Sequence, residues 1–164
     1  MNIYAILVST LVPMIIGAIY YNPKLFGNAW MKSAGLTIDQ LKGSNMAKIL
    51  TMTLVYSLLA SSLLSFMVIH QLHIGSVLAN EPGINDPNSE VAKYMKNFMD
   101  TYGDRFRTFK HGAFHGGLTT IFFVLPMIAI PAMFERRSAK YILIHAGYWF
   151  ISLCIMGGII CAWK

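Results

Sequence analysis

Apolar residues fall along the chain in four long blocks that contain no charge, and within each block they are continuous rather than alternating. No charged residue occurs between Met1 and Lys24, and three further charge-free blocks begin after Lys48, Lys110 and Lys140. Each is long enough for the roughly 20 residues that a helix needs to cross the hydrocarbon of a bilayer. The pattern predicts spans at about 3–21, 49–69, 111–134 and 141–163. Apolar residues at every second position, the mark of an outer-membrane barrel strand, are missing. The first block has neither a basic leader nor a small-residue cleavage site before Asn22-Pro23, so it reads as a retained span and not as a signal peptide. The expectation is an all-α, single-domain integral membrane four-helix bundle over residues 1–164.

Composition agrees with lipid as the solvent. Hydrophobic residues make up 55% of the 164-residue chain and charged residues only 12%, about half the charged share of a soluble domain. A water-soluble enzyme is thereby excluded. The net charge of +6 would suit a nucleic-acid partner if Lys and Arg clustered on one soluble face, but here they flank the apolar blocks, as the positive-inside bias requires. Lys24, Lys32, Lys42 and Lys48 lie between the first two spans, and Arg136, Arg137 and Lys140 between the last two. Those loops are expected to be cytoplasmic, with both termini and the 40-residue segment 70–110 external.

Within that segment, Glu81 to Ser89 is dense in turn residues, and Ser89 is placed to cap a helix. Val91, Met95, Phe98, Met99, Tyr102, Phe106 and Phe109 then recur at steps of three and four, with Lys93, Lys96, Asp100, Asp104 and Arg107 between them, which predicts an amphipathic helix at the interface. In the loop after the first span, Thr37 and Gln40 have capping-box spacing, and Trp30 reads as an interfacial anchor.

Helices in lipid associate through small residues that let backbones approach, and every span carries a stripe of them. The first has Ala5, Ser9, Pro13 and Gly17; the second Ser57, Ser61 and Ser65; the third Gly112, Gly116 and Thr120; the fourth Gly147, Cys154, Gly158 and Cys161. These predict a compact bundle or its oligomer interface. No Asp, Glu, Lys or Arg falls inside a span, so the usual sign of an ion path is missing. Cys154 and Cys161, seven residues apart on one helix, are too distant for a disulfide.

Histidine is the remaining chemistry. His70 and His73 end the second span, and His111 and His115, spaced i to i+4, begin the third, all on the same face of the membrane. They are the candidate metal ligands, and His73 opposite His115 could in principle serve a haem. Lys110 and Arg107 crowd the pair and no carboxylate lies in either stretch, which disfavours an added cation. No general base accompanies them either, so neither a catalytic site nor a cofactor is expected. His145 falls at the opposite end of the bundle, where Glu135 and the short loop are its nearest partners.

The run Gly17-Ala18-Ile19-Tyr20-Tyr21-Asn22-Pro23 followed by Leu25-Phe26-Gly27 and Trp30, the His111-Gly112-Ala113-Phe114-His115-Gly116 motif, the Phe134-Glu135-Arg136-Arg137-Ser138 loop and the closing Ala146-Gly147-Tyr148-Trp149 resemble domain-of-unknown-function family 1761. The likeness covers nearly the whole chain. It implies a four-span protein of the bacterial plasma membrane with no assigned reaction. Tyr-Tyr-Asn-Pro stands where the family more often has Trp-Tyr-Ser-Pro, and both end a helix at an aromatic interface. The resulting expectation is a non-catalytic membrane protein that self-associates or serves as an accessory subunit of a larger membrane complex, with the bilayer and other membrane subunits as partners and no nucleic acid. The alternative is a small-solute permease or a histidine-ligated metal or haem protein.

The charge bias generates a topology test. In intact spheroplasts an impermeant thiol reagent should label Ser89→Cys and leave Ser44→Cys unlabelled; the reverse pattern inverts the orientation.

Overall fold

In the computed structural model, which describes residues 2–164, the described residues form helices and no strands. The first span is two helices in line, α1 (Ile3–Thr10) and α2 (Val12–Tyr20). The irregularity at Leu11 follows from Pro13, which has no N–H to give to the preceding turn. Two short helices follow on one face of the bundle, α3 (Gly27–Ala34) and α4 (Ile38–Lys42), and then the second span, α5 (Met46–Val68). On the other face lie α6 (Gln71–Val77) and α7 (Glu90–Tyr102). The third span is α8 (Phe109–Thr119), one π-helical turn at Thr120–Val124 and α9 (Leu125–Phe134); the fourth is α10 (Ala139–Ala162).

Four helical segments are long and apolar enough to cross a membrane: Ile3–Tyr20, Met46–Val68, Phe109–Phe134 and Ala139–Ala162. Their bounds fall within three residues of those predicted. Their outward surface is apolar, with Phe134 86%, Phe122 75% and Leu143 65% exposed, which suits hydrocarbon and not water. Asn2 donates to the Lys164 carbonyl at 3.2 Å, and Lys164 pairs with Asp104 at 3.0 Å, so both termini share a face with the 69–108 segment. Arg137 donates to the Ala34 carbonyl at 3.0 Å and ties the α9–α10 turn to α3 on the opposite face.

Helix α10 occupies the centre and packs on α1, α2, α5, α8 and α9. Its tightest contact is with α8. A Cβ on Gly112 would fall on the Gly157 carbonyl and one on Gly116 on the Leu153 carbonyl, so the two backbones touch. Gly158 gives way to the Phe109 ring in the same manner, and Gly147 to the Tyr20 hydroxyl. Gly17 differs, since a methyl there would rest in ordinary contact 3.6 Å from the Tyr148 ring. Against this seam Val12, Leu64, Val68, Leu153, Met156 and Ile160 form the apolar core.

The serine stripes meet each other. The Ser9 hydroxyl lies 2.9 Å from the Ile6 carbonyl and shares a 2.6 Å hydrogen bond with the Ser61 hydroxyl, and both side chains are buried. Pro13, Ser57 and Ser65 are buried on the same faces. The small residues predicted for packing thus lie inside the bundle, between its own helices.

Local signals are read faithfully by the backbone. Thr37 and Gln40 form the capping box, and Ser89 accepts from the Ala92 N–H at 3.2 Å to start α7. Helix α9 ends with Arg137 N–H on the Ala132 carbonyl at 2.8 Å and Arg136 N–H on Met133 at 3.0 Å, with Arg136 in the left-handed region at φ 57°. This is a Schellman ending with arginine where glycine is usual. The amphipathic helix corrects the expectation at its C-terminal end: it stops at Tyr102 and does not continue to Phe106 and Phe109. Phe106 adopts φ 64°, and Phe109 already belongs to α8. Asp104 and Arg107 are drawn to the chain terminus instead of lining a helix face.

The seam predicts its own sensitivities. Gly112→Leu or Gly116→Leu should destabilise the bundle by about 1–3 kcal/mol or more by forcing α8 from α10, read as loss of a monodisperse peak in detergent. Leu7→Phe, on a half-exposed outward position, should change stability by less than about 0.5 kcal/mol.

Candidate metal centre and opposite aromatic site

Three of the four predicted ligands converge. His70 stands between α5 and α6, and His111 and His115 occupy the first two turns of α8. One ring nitrogen from each lies within 4.8 Å of those of the other two. The Nε2 atoms of His70 and His111 are 3.0 Å apart, and the ring centroids are 4.5 to 5.0 Å apart in all three pairs. His115 makes no side-chain hydrogen bond among the described residues. His73 lies outside this set: its Nε2 donates to the Phe66 carbonyl at 2.9 Å, while its ring borders the same cavity as His70 and His115.

The surroundings explain why the three rings can be close. Phe106, held at its left-handed φ, stacks on His111 at 5.1 Å and 18°. Gln71 fixes the approach to it by donating to the Tyr102 and Arg105 carbonyls at 2.9 and 2.8 Å. Arg107, which sequence spacing places beside the histidines, instead donates to the Cys161 and Trp163 carbonyls at 2.7 Å each and caps the C-terminus of α10. The cationic crowding expected at the cluster is reduced accordingly. The Cys161 thiol is 3.3 Å from the Val68 and Phe106 carbonyls, and both cysteines are free.

Three imidazoles brought together without a carboxylate offer a set of nitrogen lone pairs suited to a transition-metal ion. A tetrahedral zinc ion with Zn–N near 2.0–2.1 Å sets its ligand nitrogens roughly 3.4 Å apart, within the 4.8 Å limit that holds one nitrogen of each histidine here. His70, His73 and His115 line an open cavity of about 470 Å³ with Phe66, Met67 and Phe122.

A second polar cluster sits at the other end of the bundle. Tyr21, which follows α2, places its hydroxyl 3.0 Å from His145 Nδ1 on α10. Trp30 and Tyr148 pack on the Tyr21 ring at 5.2 and 5.3 Å, and Tyr141 meets the His145 ring edge-on at 4.4 Å. Tyr148 donates to the Pro13 carbonyl at 3.0 Å, across the gap that Gly17 leaves open. Burial, reinforced by the Tyr148, Tyr20 and Tyr141 hydroxyls, pushes the Tyr21 phenol above its ordinary range. Sequence reading directed His145 toward Glu135. Both residues border one cavity, but the hydrogen bond goes to Tyr21, because the aromatic loop that ends the first span folds back over α10.

The chain matches the family described as "Protein of unknown function (DUF1761)" over residues 4–161 and belongs to that family. No curated protein and no solved structure matches it.

Proposed function

We propose that this family member is a metal-binding integral membrane protein, with one transition-metal ion held by His70, His111 and His115. The supporting observation is the convergence of three ring nitrogens within 4.8 Å on elements 40 residues apart in the chain. Imidazole sets of this kind suit Zn²⁺, Cu²⁺, Co²⁺ or Ni²⁺ rather than the hard cations that prefer oxygen. Three protein ligands with a fourth position open is the arrangement of exchangeable and catalytic sites, whereas a purely structural ion has its shell closed by protein. Under the positive-inside assignment the cluster faces outward, and its ion is acquired from that side. The reading as a self-associating or accessory subunit draws less support. The small-residue stripes that suggested it meet one another inside a single chain.

The test uses full-length protein purified in detergent without a histidine tag, loaded with Co²⁺ or Zn²⁺ and freed of excess ion. Elemental analysis should give about one ion per chain, and the Co²⁺ form should show the visible absorbance of a low-coordinate nitrogen site. His115→Ala and His70→Ala should each lower affinity by about tenfold or more, while His73→Ala and His145→Ala retain it. Occupancy should fall on acidification, because only neutral imidazoles ligate. Equal metal content in the parent and in His115→Ala would overturn the proposal.

A further inference from the structure

A groove runs along the bundle between the second and third spans. Its outer part is the cavity of about 470 Å³ that His70, His73 and His115 border. Its inner part is a second cavity of about 300 Å³, walled by Ala60 and Leu63 of α5, Met127 and Ile128 of α9, and Trp149 and Leu153 of α10. Met67, Thr119 and Phe123 line both, so the two adjoin. We infer that this groove binds one long-chain carboxylic acid, with the chain in its inner part and the carboxylate among the histidines at its outer end.

The inner groove suits a hydrocarbon chain. Between the histidines and Trp149 its lining is apolar except for Thr119, whose hydroxyl is already committed to the His115 carbonyl at 2.8 Å. Along the third span the lining runs from His115 to Ile128, about 20 Å at roughly 1.5 Å of rise per residue and about the reach of an extended stearoyl chain. The two cavities join at the π turn, where the consecutive residues Phe122, Phe123 and Val124 all border the groove. Leu63, Phe122 and Met127 are exposed and belong to spans, so a chain dissolved in the bilayer enters from the side.

Selectivity must come from the head group. Lipid tails are as apolar as leucine, so moving a chain from the bilayer into the groove changes little by itself. No carboxylate borders either cavity among the described residues. His70 and His73 are exposed, and His115 is half-buried. An imidazole carries an N–H in either charge state, and a charged acceptor makes the stronger hydrogen bond. Arg105 borders a neighbouring cavity together with His70 and adds positive potential on that side. A carboxylate meets these groups favourably, whereas an ammonium head would be repelled. Binding of the acid needs no metal ion, and an ion on the histidines would only add to the positive charge it meets.

The test uses metal-stripped full-length protein in dioleoylphosphatidylcholine vesicles, so its outcome is independent of the metal proposal. The probe is 11,12-dibromostearic acid, whose bromines quench tryptophan on contact, with its methyl ester in parallel. The acid should quench saturably, at a mole fraction about tenfold or more below any effect of the ester. Trp149→Phe should remove the saturable component, leaving the gradual quenching of tryptophans that face bulk lipid. Stearic acid should relieve the quenching by competition, and octadecanol should do so about tenfold less well. Ala60→Phe, which fills the inner groove, should abolish saturation, and His73→Leu combined with His115→Leu should weaken binding roughly tenfold or more. Equal quenching by acid and ester, equal competition by stearic acid and octadecanol, or a saturable component that survives in Trp149→Phe would overturn the inference. The first two comparisons use the parent protein and hold even if a variant fails to fold.

Discussion

The bundle depends on the direct contact of two backbones. At Gly112 against Gly157, and at Gly116 against the Leu153 carbonyl, no side chain separates α8 from α10. In lipid there is no hydrophobic drive to press helices together, so association rests on van der Waals contact over a closely fitted seam and on a few polar bonds between helices. Once α8 is set flush on α10, the other spans have one arrangement in which Ser9 meets Ser61 and Leu64 and Val68 reach Met156 and Ile160. The same contact fixes the depth and rotation of His111 and His115, which alternate with Gly112 and Gly116 along α8.

Polar chemistry is confined to the two ends of this seam, and each end is organised by a loop that folds back. On the face of the termini, Phe106 covers His111 and Arg107 closes the last carbonyls of α10. At the other face, the aromatic stretch after α2 lays Tyr21 on His145, and Arg137 bonds Ala34 while its guanidinium lies 5.5 Å from the centre of the Tyr141 ring. The histidines at the two faces consequently have different companions. His70, His111 and His115 have mainly one another, an arrangement a metal ion would complete. His145 has the Tyr21 phenol on Nδ1, while its Nε2 is buried without a hydrogen-bond partner.

Two irregularities within the spans belong to the same design. The π turn at Thr120–Val124 shifts the helical register between the histidine end of the third span and its proline-bearing end. Turns of this kind are frequent near functional sites. Thr120 anchors it by donating to the Gly116 carbonyl at 3.0 Å. Past the turn, Pro131 and Ala132 line the cavity beside His145.

Charge-free block length determined the four spans by itself, because a helix must bury every backbone polar group across the hydrocarbon and few other structures can. Capping pairs such as Thr37 with Gln40 and Ser89 with Ala92 were likewise legible, since their bonds close within one turn. The small-residue stripes showed that each span has a face to bury, but not whether the partner is another span or another chain. Only packing decided that in favour of the chain's own helices, because Gly112 and Gly157 are 45 residues apart and their fit depends on rotation about each helix axis. The histidine spacing likewise marked four candidates on one face. The tertiary structure brought one nitrogen each of His70, His111 and His115 within 4.8 Å, while His73 turned its Nε2 to the Phe66 carbonyl and Arg107 turned toward α10. The approach of His70 to His111, 41 residues apart, is a contact between segments remote in sequence. For the same reason the pairing of Tyr21 with His145, 124 residues apart, left no periodic signal in the sequence and existed only once the fold brought the two spans together.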